Sequence, residues 1–297
     1  MKDVVLRKPD ENDIEALKNL WAEIFSSVGM DAFFECLYNR ELCRAVFVGN
    51  QLAAMGFLVD TGELRSGGAA LKAAMIYSVA TAIEHRGNGY AKKVVEQLVS
   101  DAHDLGYLVV VLSPSNDGLF DFYREKNNFV DYFYIEEKIF EKAQIDALLQ
   151  ERDVKSDFSG SSASLEEISP EIYVKMRNDL LSEFVFLSQS VGILRYQNLI
   201  CDEVGGGLYR FGSSCAVVEV QDCLSICVKE LLYTDDDYLE ILLAITEKFP
   251  AHKYVVRTPA MGESEAFRKL GMISTEKKDF AGSCHLKSFP WYGLALD

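Results

Sequence analysis

The chain has 297 residues, of which 49% are hydrophobic and 26% are charged. This composition is typical of folded globular proteins and excludes a disordered or fibrous polymer. The net charge of −16 argues against a nucleic acid or an anionic membrane surface as the main partner. The length suits two domains, and the charge divides evenly between residues 1–150 and 151–297, which favours an internal duplication.

The sequence carries no signal for export, membrane insertion or a disulfide framework. No run of ~18 uncharged apolar residues occurs, and the first residues are charged rather than apolar. The seven cysteines include no Cys-x-x-Cys pair and the four histidines are well separated, so no metal site is expected. We therefore expect a cytoplasmic protein.

The first half is predicted to alternate strands and helices. Apolar residues recur at helical spacing over residues 9–25, and a second helix is expected over residues 31–38. Short strands are predicted over residues 4–7, 44–48 and 52–59, with a hairpin turn between the last two.

The next segment predicts a βαβ unit. A β-branched strand over residues 75–81 leads through a glycine-containing turn into a helix that ends at Gly106. Residues 107–114 then form an apolar strand, which is typical of a parallel strand covered on both faces. A short aromatic helix over residues 117–126 and a strand over residues 129–135 close the unit.

A polar segment, residues 151–165, is predicted to link two domains, 1–150 and 166–297. The second half repeats the order of elements found in the later part of the first half. Its predicted elements are a helix over residues 170–186, strands over 208–220 and 223–229, a helix over 235–249, a strand over 253–258 and a helix over 263–270.

Residues 86–91 form the turn between the strand and the helix of the βαβ unit. Its glycines allow close backbone approach, and the first amides of a helix favour anions, so phosphate or pyrophosphate is the natural ligand. A tight turn that binds nothing is the alternative interpretation. A dinucleotide fingerprint is excluded because Lys92 stands where its third glycine belongs, and the spacing does not fit a Walker loop.

The turn at residues 86–91 has Arg, Gly and Ala at its first, fourth and sixth positions and resembles the acyl-coenzyme A loop of the GNAT N-acetyltransferases. Asn116 follows the apolar strand, and Tyr123 comes seven residues later, as in the asparagine–tyrosine segment of that family. Asn128 stands where the family usually has glycine, and Ile83 stands where many members have proline.

The resemblance implies an α/β fold of two GNAT-like domains, each a twisted mixed β-sheet flanked by helices. It also implies acetyl-CoA as the acyl donor and an amine of a small molecule or peptide as the acceptor. Strand backbone groups would bind the pantetheine arm, the turn amides would bind the pyrophosphate, and a tyrosine would protonate the departing thiolate. The implied coenzyme-binding residues are Val79, Ala80, Thr81, Arg86, Gly87, Asn88, Gly89, Tyr90, Ala91 and Asn116, and the implied general acid is Tyr123.

The acceptor side of this site is less defined by the sequence. Tyr123 has an alternative interpretation as a core aromatic beside Phe120. Glu84, Glu35 and Glu63 could line the acceptor pocket as general bases. Each is more typical of a solvated surface acid, so no base is assigned.

The second half resembles a GNAT domain that has lost coenzyme binding. The turn before its long helix contains three aspartates, residues 235–237, which would repel a pyrophosphate. Phe267 begins a segment similar to the tyrosine segment of the family, yet it has no hydroxyl to donate. The arrangement of two GNAT-like domains in one chain resembles the enhanced-intracellular-survival type of acetyltransferase. Only the two-domain arrangement is inferred from this resemblance, and not the substrate.

The sequence thus predicts a cytoplasmic acetyl-CoA-dependent N-acetyltransferase that uses no metal and binds neither nucleic acid nor membrane, with a homodimer left open. Amine attack on the thioester is expected to be direct, because no cysteine lies in the turn or in the asparagine–tyrosine segment. The alternative is a non-catalytic acyl-CoA-binding sensor or interaction module.

Overall fold

The computed structural model describes residues 3–153, 164–234, 238–261, 267–275 and 289–296. Within these ranges the chain forms eight α-helices and thirteen β-strands. No helix among them is long and apolar enough to span a membrane. The three aspartates at 235–237 and most of the proposed linker lie outside the described residues.

The first half confirms the predicted alternation of strands and helices. Its strands are β1 (Val4–Arg7), β2 (Cys43–Val48), β3 (Gln51–Ser66), β4 (Ala69–Thr81), β5 (Val109–Leu112) and β6 (Val130–Glu141). Its helices are α1 (Ile14–Ile24), α2 (Met30–Cys36), α3 (Tyr90–Asp104), α4 (Asp117–Asn127) and α5 (Lys142–Asp153). Helix α5 therefore continues into the polar segment where the linker is predicted to begin.

The second half contains seven strands and three helices within the described residues. Its strands are β7 (Glu166–Glu167), β8 (Phe186–Gln189), β9 (Gly207–Phe211), β10 (Ser214–Asp222), β11 (Ser225–Leu232), β12 (Lys253–Pro259) and β13 (Phe267–Thr275). Its helices are α6 (Pro170–Leu180), α7 (Val191–Val204) and α8 (Tyr238–Lys248).

Three predictions for the second half are wrong. The strand predicted over residues 208–220 is a hairpin of β9 and β10, because Gly212 turns the chain with a φ of 58°. The helix predicted over residues 170–186 ends at Leu180, and the sequence reasoning did not predict α7. The helix predicted over residues 263–270 is contradicted where the chain is described, because residues 267–270 belong to β13 and pair with β6.

The strands form one continuous mixed sheet, through which the two halves exchange strands. The order is β1-β2-β3-β4-β5-β13-β6-β12-β11-β10-β9-β7, and β8 pairs with the far end of β3. Strand β13 lies between β5 and β6 and is antiparallel to both. Strand β6 in turn pairs with β12, so each half completes the sheet of the other. The predicted mixed α/β architecture is confirmed. The pairing of strands from one half with strands from the other was not predicted.

Two parallel crossover units lie in this sheet. Strands β4 and β5 are parallel and joined through α3, and strands β11 and β12 are parallel and joined through α8. Helix α3 buries Val94, Val95 and Leu98 against the sheet, as its apolar stripe predicts. A central core cluster contains residues from both halves, among them Phe57, Met75, Phe133, Tyr173, Tyr196 and Trp291.

Candidate active site

A cleft opens where β4 and β5 separate. The two strands pair in parallel from Ala73 and Val109 to Met75 and Val111, and β4 then continues to Thr81 without β5. A cavity of about 580 Å³ lies there, lined in part by residues 76–79 of β4 and by residues 112–116 at the end of β5 and just after it. Open α/β sheets bind ligands at the carboxyl ends of their parallel strands, so this is the expected position of a site.

A β-bulge shapes the side of β4 that faces the cleft. Strand β4 has one residue more than β3 between two of their paired positions, and Ser78 there has a φ of 48°. A bulge redirects the backbone of a strand, and a positive φ on a residue other than glycine is uncommon. Val79, predicted to contact the pantetheine arm, lines the cavity. Ala80 is buried and Thr81 ends the strand, and neither is a lining residue.

Residues 86–89 form an exposed turn between β4 and α3, and residues 90–91 begin α3. Gly87 and Gly89 have φ values of 80° and 75°, in the left-handed region that glycine adopts without strain. Asn88 closes the turn by donating from Nδ2 to the carbonyl of His85 at 3.0 Å. The same nitrogen also donates to the carbonyl of Arg86 at 3.3 Å, so the shape of the turn depends on its two glycines and on the side-chain amide of Asn88.

The first turn of α3 presents backbone amides at the end of this loop. Gly89 is the N-cap and no described side chain caps the helix. The amides of Tyr90 and Ala91 have no intrahelical acceptor because they lie in its first turn. Arg86 is exposed and donates from Nε to the carbonyl of Thr81 at 3.4 Å. Free amides, the positive end of the helix dipole and a nearby guanidinium are what an anion-binding turn requires.

Asn116 lies directly after β5 and begins α4. Its Oδ1 accepts a hydrogen bond from the amide of Leu119 at 3.1 Å, which is an N-cap interaction. The residue is exposed and lines the cavity beside Ser115. The capping bond uses the side-chain oxygen, and Nδ2 lies 3.5 Å from the hydroxyl of Ser115.

Tyr123, on α4, lines the same cavity. It is 8% exposed, and its ring contacts Phe122 and Phe129 at centroid distances of 5.1 and 6.2 Å. Burial raises the pKa of the phenol to about 12, so the group keeps its proton at neutral pH. The two interpretations of Tyr123 are compatible, since its ring belongs to the core while the residue lines the cleft.

The carboxylates considered as bases do not lie at this site. Glu84 and Glu35 are exposed, and Glu63 pairs with Arg65 at 2.9 Å on the far part of β3. None of the three is among the residues that line the cavity. Among the described residues, the carboxylates that line it are those of Asp117 and Glu219, and Glu219 belongs to the second half of the chain.

The second half supplies a polar cluster that sequence reasoning missed. Gln197 of α7 donates from Nε2 to Oε1 of Glu219 at 2.6 Å, and Nζ of Lys229 lies 3.6 Å from Oε2 of Glu219. All three residues line the cavity. Signals for α7 exist in the sequence, because Ser190 caps its first turn and Gly205 ends it with a φ of 90°.

The chain returns to the cavity near its C-terminal end. Glu230 accepts from Nε1 of Trp291 at 2.8 Å and from Nε of Arg177 at 2.9 Å, and the side chains of this ion pair are fully buried. The hydrogen bond from Trp291 to Glu230 fixes the segment 289–296. Ala295 and Leu296 of this segment line the cavity.

Comparison with known proteins agrees with the geometry of the cleft. Residues 5–127 match the family model described as an acetyltransferase (GNAT) domain. No curated protein sequence matches the chain significantly. The matched range contains the turn, α3, the two diverging strands and Tyr123.

Solved structures share this fold over almost the whole chain. A GCN5-related N-acetyltransferase from Kribbella flavida has a TM-score of 0.66 at 13% identity, with 92% of this chain and 72% of that chain covered. One from Anabaena variabilis has a TM-score of 0.68 at 13% identity, covering 92% and 73%. Eis1 from Mycobacterium abscessus has a TM-score of 0.63 at 12% identity, covering 92% and 73%. Residues 5–127, which hold the glycine turn and Tyr123, are therefore similar to a GNAT acetyltransferase domain, and the whole chain shares the fold of these solved structures.

Proposed function

We propose that this protein is an acetyl-CoA-dependent N-acetyltransferase that transfers an acetyl group to a primary amine. The supporting observation is that the diverging edge of β4, Asn116 and Tyr123 all line one cavity. Its volume of about 580 Å³ suits a small-molecule site, for which ~300–1,000 Å³ is usual. The family match supports the acetyltransferase class, and the amine acceptor is part of the proposal.

The residues present fit acetyl-CoA. An added Cβ at Gly87 or Gly89 would meet nothing within 4 Å, so the turn is open to a ligand that its amides can bind. The backbone of Val79, Ala80 and Thr81 lies on the part of β4 that β5 leaves unpaired, where an extended pantetheine arm can bind. The amides of residues 86–91 would hold the pyrophosphate, and Asn116 would contact the coenzyme from the start of α4.

Bound acetyl-CoA supplies an acetyl thioester, whose C–S bond breaks as the amine nitrogen forms the new C–N bond. Tyr123 carries the proton that the departing sulfur takes, because its raised pKa keeps the phenol neutral. Backbone amides of β4 would stabilise the negative charge that develops on the carbonyl oxygen. Attack needs the neutral amine, so an acceptor bound as ammonium first gives one proton to solvent and gives a second as the C–N bond forms. Tyr123 regains one proton from solvent, so one net proton is released per turnover.

We also propose that the second half, residues 166–297, is a degenerate GNAT-like domain that does not bind acetyl-CoA. The parallel unit β11–α8–β12 supports this reading, since it repeats the order of β4–α3–β5. The boundary with the first domain, residues 1–150, is placed in the segment 151–165. The cytoplasmic location and the homodimer stay predictions from the sequence.

The test is release of the free coenzyme thiol from acetyl-CoA with a panel of alkylamines, arylalkylamines, polyamines and peptides. Mass spectrometry of the amines identifies any acetylated product. Thiol release together with an acetylated amine supports the proposal. Acetyl-CoA binding with no acetylated product from any amine contradicts it and favours an acyl-CoA sensor.

A further inference from the structure

We infer that Gln197 and Glu219 bind the ammonium group of the acceptor, and that the acceptor is a primary amine with an apolar body. The inference rests on the proposed function and names the substrate class of that same site. Both residues belong to the second half of the chain, outside the matched range 5–127. They line the cavity that also contains Tyr123.

The orientation of the Gln197 amide is fixed by its neighbour. Gln197 is fully buried, and its Nε2 donates to Glu219 at 2.6 Å, because a carboxylate can only accept. The other end of the amide, Oε1, is buried and has no hydrogen-bond donor among the described residues. A buried acceptor without a donor is unfavourable, so this oxygen is ready for a donor that a ligand supplies.

Glu219, which accepts from the other end of the same amide, supplies a second acceptor among the residues that line the cavity. Its side chain is 15% exposed, and Nζ of Lys229 lies 3.6 Å away, longer than a hydrogen bond. Lys229 therefore offsets part of the negative charge of Glu219, while the carboxylate oxygens of Glu219 can still accept hydrogen bonds from a ligand. A carboxylate next to a second acceptor fits a group with several N–H donors and no acceptor, and an alkylammonium is such a group.

The rest of the pocket indicates an apolar body on the same molecule. Trp21, Phe25, Val28 and Ile200 line the cavity together with the polar cluster. Phe25 and Val28 are 37% and 39% exposed, so part of this apolar wall is accessible to a ligand. Pockets with mostly apolar walls and a few convergent polar groups are typical of small-molecule sites, and aromatic faces also favour a nearby cation.

A purely structural role for these residues makes a different prediction. In that reading Glu219 and Lys229 only hold β10 to β11, and removing either partner lowers thermal stability with no effect on ligand choice. In an ammonium site the two residues act in opposite directions, because Lys229 competes with the ligand for the same carboxylate. The sign of the Lys229 effect on amine affinity therefore distinguishes the two roles.

The test compares phenethylamine with phenethyl alcohol, which has the same body and no charge. Binding to the protein saturated with coenzyme A is measured by calorimetry, so that no acetyl transfer occurs. We expect the unmodified protein to prefer the amine by ~10-fold or more, as loss of a hydrogen bond to a charged group implies. Glu219→Gln abolishes the preference, Gln197→Met reduces it, and Lys229→Met raises amine affinity.

Glu63→Gln is the matched control, because it neutralises a carboxylate that is outside the cavity and should keep the preference. The inference is overturned by equal or absent binding of the two probes, by a preference that survives in Glu219→Gln, or by unchanged amine affinity in Lys229→Met. Failure of the proposed function looks different, since the unmodified protein would then acetylate no amine even where the amine preference is present.

Discussion

Replacing Tyr123 by phenylalanine removes one oxygen atom and leaves the ring in place. The ring is packed against Phe122 and Phe129, and those contacts do not involve the hydroxyl. The hydroxyl makes no hydrogen bond to another residue in the part of the chain that the structure describes, so the change leaves no group there without its partner. We therefore expect an unchanged thermal midpoint and an unchanged affinity for acetyl-CoA.

The loss of turnover can be bounded from the environment of the phenol. General-acid assistance contributes ~10²–10⁴-fold, with the largest effects when the acid has a pKa near the working pH. Burial raises the pKa of Tyr123 to about 12, and an ordinary thiol is more acidic than that. Full proton transfer to a thiolate is then uphill, so we expect a decrease in kcat of ~10²-fold, at the lower end of the range.

The assay is steady-state thiol release with the amine found in the panel, with acetyl-CoA affinity measured in parallel. Tyr107→Phe is the matched control, because Tyr107 is 6% exposed and belongs to the same core cluster but does not line the cavity. It should keep full turnover. Full activity of Tyr123→Phe would refute the assignment of Tyr123 as the acid. Equal losses of turnover in Tyr123→Phe and Tyr107→Phe would show that the effect does not depend on lining the cavity.

Four further predictions follow from the same geometry. Gly89→Asp should weaken acetyl-CoA binding by at least ~10-fold, because it adds a negative charge beside the pyrophosphate. Gly89→Asn should lose far less acetyl-CoA affinity, because Asn and Asp both tolerate the positive φ of this position and Asn carries no charge. Turnover should rise with pH as the amine loses its proton and show no alkaline decrease below about pH 11, because the phenol stays protonated. Glu230→Gln, which leaves Arg177 buried without its counter-ion, should lower the free energy of unfolding in urea by ~3–5 kcal/mol. Calorimetry should give one acetyl-CoA per chain; a second bound coenzyme contradicts the degenerate second domain.

The βαβ unit and its turn could be predicted from sequence because their signals are local. An apolar stripe every three to four residues defines α3, and an uninterrupted apolar run defines β5. The positive φ values of Gly87 and Gly89 explain why glycine occupies those positions in the turn. Each of these features depends on residues that are neighbours in the chain.

The strand exchange could not be predicted in this way. Residues 267–270 are similar to a helical segment of the family, yet β13 pairs with β5 on one side and β6 on the other. Gly271 there packs tightly, since an added Cβ would lie 2.6 Å from the ring of Tyr292. Such long-range pairing overrides local propensity, and a single sequence without structural context carries no direct signal for it.

The polar end of the cavity was missed for a related reason. Gln197, Glu219 and Lys229 come from a helix and two strands that meet only through tertiary packing. The caps of α7 could have predicted the helix, but no local pattern could have placed its residue Gln197 beside Glu219, more than twenty positions away. Acceptor-side residues are therefore the part of this site that most needs a structure.

The exchange of strands also explains where the family match ends. The matched range stops at residue 127, and β6 begins at Val130 as the first strand of the chain whose two partners both lie in the second half. Before β6, the strands pair mainly within the first half, and the exceptions are β3 with β8 and β5 with β13. Strand β5, which borders the cleft, has β13 as its neighbour on the side away from β4, and Ala295 lines the cavity. The second half thus supplies a strand that pairs with β5 and residues that line the cavity, whereas the proposed coenzyme-binding turn lies in the first half.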